Sequence, residues 1–159
     1  MAGPHFQFTQ RGIALFALAA VAGALSAPIA GRLADRGKTH IATGVSLLMV
    51  AISFLLAWAG NSGSLALLLM AGIMLDLGVQ ANLVLGQRAI YTLGAHIRSR
   101  LNGLYIAIFF AGGALGSSVA SLVFTHGGWE SVSWLGFAFP IAAMLFYATE
   151  RSALGLPEG

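Results

Sequence analysis

Long apolar runs alternate with short polar interruptions along the whole chain. Residues 12–30 pass without a charge, and some nineteen residues at 1.5 Å each come close to the ~20 needed to cross a hydrocarbon core of ~30 Å. A dense polar patch follows, from Ser26 through Arg32, Asp35, Arg36 and Lys38 to His40. A second apolar run covers 41–60, and Gly60-Asn61-Ser62-Gly63 is short and flexible enough to be a hairpin connection between helices. The third run, 64–91, ends in Gln87, Arg88 and Tyr91, which suit the membrane interface better than its interior. Residues 94–100 break it. A fourth run covers 101–124, Thr125-His126-Gly127-Gly128 reads as a turn, and a fifth covers 129–148 before Glu150 and Arg151. The pattern predicts an all-α, polytopic membrane bundle of five transmembrane helices, with a lead-in at 1–11 and a tail at 152–159.

Composition supports a membrane class. With 58% hydrophobic and 8% charged residues, a soluble domain would lack polar atoms to cover its surface. The net charge of +3 does not point to nucleic acid, because the basic residues stand singly or in threes between apolar runs and form no contiguous basic face. They read as topology signals. With the amino terminus outside, Arg32, Arg36, Lys38, Arg88, Arg98, Arg100 and Arg151 all fall in the cytoplasm and only Arg11 does not. The lead-in is therefore expected outside and the tail in the cytoplasm. Trp58 and Trp129 then mark the outer ends of the second and fifth spans. The rival for the first span is a signal peptide with Ala22-Gly23-Ala24 as its cleavage site, which would strand the basic loops outside.

No cysteine is present, and His5, His40, His96 and His126 are widely scattered. Neither a disulfide framework nor a local metal motif is expected, and no cofactor. No nucleophile with a partnering base and no phosphate-binding glycine loop appears, so the sequence does not read as an enzyme.

Two kinds of residue stand out inside the spans. Asp76 is the one acid deep within an apolar run, roughly 18 Å in from Ser64 and so near the bilayer centre, where an ionisable group is expected to face protein or water. Gln80 lies one turn further on, and Gln87 falls within about 20° of the same face, giving a polar stripe that suits a substrate or proton path. The competing reading is a hydrogen-bonded residue tying two helices together. Small residues recur four apart at Ala19, Gly23, Ala27 and Gly31, and at Gly112, Gly116 and Ala120. Such faces allow close helix contact in lipid. The segments Gly23–Ala30 and Gly113–Ala120 also align without gaps, five positions being identical or exchanging Ile for Val. Two similar helices of opposite direction, three spans apart, fit an inverted repeat of three helices; chance similarity of Gly/Ala-rich helices is the alternative.

Gly31-Arg32-Leu33-Ala34-Asp35-Arg36-Gly37-Lys38 resembles the cytoplasmic loop motif of the major facilitator superfamily of secondary transporters, with one residue fewer between Arg36 and Gly37. More of the resemblance lies further on. Asp76 to Gln80, Gly86 to Tyr91, Arg98 to Asn102 and Gly112 to Ser117 are similar, in order and spacing, to the tenth and eleventh helices of bacterial efflux members. The resemblance implies a partial transporter fold, helices eight to twelve of twelve, in the inner membrane. It implies transport of a small molecule of unidentified class by proton-coupled efflux or exchange in a full-length parent, with an amino-terminal half or another membrane subunit as partner. It also implies a latch at the loop, in which Arg32 or Arg36, or the positive end of a helix, stabilises Asp35. Arg98 and Arg100 are expected as cytoplasmic anchors. A non-transporting membrane subunit or an inert truncated product is the other reading.

Overall fold

A computed structural model describes residues 26–154, and side chains as far as residue 149. These residues form α1 (residues 26–35), α2 (Thr39–Ala59), α3 (Leu65–Tyr91) and α4 (Ala95–Leu154), with a 3-10 turn at Gly60–Ser62 and no strand. Gly23 and most of the first expected span, and with them one copy of the expected repeat, lie outside the described residues.

Three of these helices are long and apolar enough to cross a membrane: Thr39–Ser62, Leu65–Tyr91 and Ala95–Thr149. The third holds what the sequence reads as two spans. In place of a four-residue turn at 125–128, the helix is interrupted at the single residue Gly128 (φ 64, ψ −161). Contacts show that the chain reverses there. Residues near Tyr105 lie against Leu83 and Gly86 in the carboxyl-terminal half of α3. Trp129 then meets Ala57 at the far end of α2, and Tyr147 is back at His40, where α2 begins. Both arms of α4 thus run antiparallel to the helix each touches.

The connections follow from local chemistry. Gly37, at φ 73, ends α1 by donating to Ala34 O at 2.9 Å, while Lys38 N donates to Leu33 O at 2.9 Å. This left-handed C-terminal closure satisfies two carbonyls that the helix end would leave open, and it favours glycine. The loop motif therefore turns within three residues despite its missing one. At the other end, Gly63 (φ 104) turns the chain, and the Ser64 hydroxyl accepts from Leu67 N at 3.4 Å to cap α3.

Helices α2 and α3 make the tightest seam. Ala71, Gly78 and Leu85 recur every seven residues and are buried; opposite them lie Ala42, Ser46 and Ser53, also buried. A Cβ on Gly78 would come within 2.8 Å of both Ser46 O and a Val50 methyl. The two serines do not carry unpaired hydroxyls into the seam: Ser46 Oγ donates to Ala42 O and Ser53 Oγ to Val50 O, each at 2.6 Å. With little hydrophobic gain between helices in lipid, close approach of small residues supplies the attraction. This seam differs from the small-residue faces singled out in the sequence. Gly112 and Gly116 have nothing within 4 Å of a built Cβ, because no described element covers that side of α4. Ala27 is half-buried.

Candidate functional site

The polar stripe lies on the free side of α3. At 100° per residue, Asp76, Gln80 and Gln87 project close to 180° from the Ala71-Gly78-Leu85 seam that packs on α2. Gly86, about 80° from the seam, receives Tyr105 of α4 instead. Asp76 and Gln87 are half-buried and Gln80 is exposed. None of the three side chains has a hydrogen-bond partner or ion pair among the described residues. The helix-tying role weighed for Asp76 therefore finds no acceptor or donor there, and the stripe presents one carboxylate and two carboxamides to whatever lies beside it.

A second cluster closes the end of the bundle at which α3 finishes and α2 and α4 begin. Arg88 Nη1 reaches Asp35 Oδ1 at 3.2 Å, joining α3 to the loop motif across 53 positions of sequence. The guanidinium passes over Gly31, where a Cβ would stand 3.2 Å from Nη2, so the glycine makes room for the bridge. Asp35 is thus held by Arg88, and Arg32 and Arg36, the partners expected from sequence, are exposed and make no ion pair among the described residues, as is also true of Lys38. Helix α1 packs directly on α3, Ala30 and Leu33 against Ala81, Val84 and Leu85, and this brings Asp35 within reach of the Arg88 side chain. Both partners are more than half exposed (61% for Asp35, 51% for Arg88), so the pair contributes on the order of 0–1 kcal/mol and fixes position more than stability.

Arg98 does more than anchor. Its guanidinium lies 5.6 Å from the centre of the Tyr91 ring and donates to Leu93 O at 3.4 Å, folding the α3–α4 corner onto itself. One turn on, Asn102 Oδ1 is buried without a partner among the described residues, as is Arg98 Nε. Tyr105, on the same face, seats its ring over Gly86 and directs its hydroxyl at Asn82 O and Leu83 O at 3.4 and 3.5 Å. Sequence reading did not identify Arg88, Tyr91 or Tyr105 as parts of one cluster. In the sequence, Arg88 and Tyr91 stood out only as interface residues ending the third run, and Tyr105, between Leu104 and Ile106, carried no signal. Arg100 is exposed. Among the described residues no group of His, Cys, Asp or Glu is arranged to hold a metal.

A family model described as Major Facilitator Superfamily matches residues 3–158. Among curated proteins, the chain is 38% identical over 148 residues to "Uncharacterized transporter YgaY" of Escherichia coli O157:H7, covering 92% of this chain and 37% of that protein. It is 31% identical over 148 residues to "Probable transporter SCO4007" of Streptomyces coelicolor, covering 89% of this chain and 34% of that one. The chain thus spans little more than a third of the length of these relatives. No solved structure matches it.

Proposed function

Since the chain belongs to the Major Facilitator Superfamily, we propose that it forms part of a secondary transporter, the helices eight to twelve, which moves a small molecule across a bacterial inner membrane by proton-coupled efflux or exchange. The observation that carries this reading is the stripe. Asp76, Gln80 and Gln87 occupy the face of α3 turned away from its own bundle, and an uncompensated carboxylate at that depth is stable only beside water or protein. Further helices, whether an amino-terminal half or another membrane subunit, complete the enclosure, and the stripe lines the path between them. The basic residues at the inner ends set the amino terminus outside and the carboxyl terminus in the cytoplasm.

In proteoliposomes holding the complete transporter, Asp76→Asn is expected to abolish transport driven by a pH gradient. Gln80→Ala and Gln87→Ala are expected to raise the substrate concentration needed for half-maximal rate while leaving proton coupling in place. Wild-type gradient-driven rates in Asp76→Asn would remove the carboxylate from proton movement. The alternative reading is a membrane subunit that transports nothing. Co-purification of the chain with a partner that itself transports without it would support that reading.

A further inference from the structure

At the end of the bundle away from the basic loops, Glu130, Trp134 and Phe137 recur at i, i+4 and i+7 and so share one side of α4. Trp58 of α2 joins them: its ring centre is 5.9 Å from that of Trp134 at a tilt of 52°, and Phe137 meets Trp134 edge-on at 5.9 Å. Despite these contacts the indoles stay open, Trp58 at 43% and Trp134 at 48% exposure. Glu130 is exposed as well and has neither a hydrogen bond nor an ion pair among the described residues. Every lysine and arginine with a described side chain, namely Arg32, Arg36, Lys38, Arg88, Arg98 and Arg100, lies at the opposite end.

Tryptophans that merely anchor a helix need only the headgroup layer around them. Here a carboxylate lacking a cation sits one turn from an open indole pair. Both features attract the same chemical group. An ammonium is drawn to the electron-rich face of an indole and forms charge-assisted hydrogen bonds to a carboxylate, whereas a phosphate is repelled by the carboxylate and a glycerol hydroxyl, although it can donate to the carboxylate, brings no positive charge to either feature.

We propose that Trp58, Trp134 and Glu130 form a binding corner for the ammonium headgroup of a membrane phospholipid, phosphatidylethanolamine being the ligand that fits. Its –NH3+ donates to the Glu130 carboxylate and rests on the indole faces. Its phosphate stays in the headgroup layer, and its acyl chains follow the apolar side of α4 beyond Phe137.

The chain's three tryptophans, Trp58, Trp129 and Trp134, all lie at this end, so tryptophan emission, excited beyond the tyrosine band, reports on it alone. The test places the full chain in nanodiscs doped with equal fractions of either phosphatidylethanolamine or phosphatidylglycerol, each nitroxide-labelled near the top of one acyl chain. Labelled phosphatidylethanolamine is expected to quench emission at a roughly fivefold lower mole fraction than labelled phosphatidylglycerol. Glu130→Gln is expected to erase most of the difference. Trp134→Leu, read through the remaining indoles, is expected to reduce it. Equal quenching by the two lipids in the wild-type chain would overturn the proposal. So would a preference that survives both substitutions, since a general aromatic belt would then account for it.

Discussion

The two arms of α4 share composition and length class but not surroundings. After Gly128 the chain is fastened to α2 at three levels. Trp129 Nε1 donates to Ala57 O at 2.9 Å, Gly136 lies against the Phe54 ring, and Tyr147 donates to His40 O at 3.1 Å while His40 Nδ1 meets the Tyr147 hydroxyl. Before Gly128, the hydrogen-bond and ring contacts to other parts of the bundle lie at the start of the arm, through Arg98 and Tyr105. No hydrogen bond or ring contact joins residues 106–127 to another described helix. Yet this is the arm with Gly112, Gly113 and Gly116, the residues best suited to close approach. Small residues permit a tight seam; they create one only where a second helix presents a matching surface.

Substitutions can break that contrast in graded steps. The largest effect is expected at Gly136, where any side chain enters the space of Phe54. Gly136→Leu should lower the detergent unfolding midpoint by the equivalent of about 2–3 kcal/mol, whereas Gly112→Leu should leave the isolated chain within ~0.5 kcal/mol of wild type. A similar loss at both sites would show that the first arm is covered after all. Repeating Gly112→Leu in a complete transporter sharpens the comparison, because a cost appearing only there locates the missing neighbour on this face. Trp129→Phe keeps the ring but removes the indole N–H, and should cost about 1 kcal/mol in the same unfolding measurement. The smallest effect is expected at the inner clasp. Asp35→Asn should change stability by no more than ~0.5 kcal/mol, and a spin-label pair on α1 and α3 should instead report a broader distance distribution.

What could be read from the chain beforehand follows a physical line. The second and third helices, expected at 41–60 and 64–91, run Thr39–Ala59 and Leu65–Tyr91, since charge-free length and glycine-rich turns are local properties. Gly128 was legible as part of a turn, but not that one residue would make it. The Asp35–Arg88 clasp was not legible, because arginines at positions 32 and 36 offered nearer partners and only the folded arrangement brings α3 to the loop. Likewise the close packing at Gly86 and Gly136 could not be told from that at the rest of the chain's 21 glycines, and only the rings of Tyr105 and Phe54 distinguish them. The stripe of Asp76, Gln80 and Gln87 came from periodicity, and its neighbours lie outside what periodicity can supply.

The joint at Gly128 has a mechanical consequence. A multi-residue loop between two helices is a slack tether that absorbs relative motion, but a one-residue break is close to a pinned pivot. The second arm is clamped, so the first behaves as a lever extending about 45 Å from Gly128 to Arg98 at 1.5 Å per residue. On a lever of that length, a swing of about 5° at the pivot carries the Arg98 end sideways by about 4 Å, enough to lift its guanidinium from the Tyr91 ring.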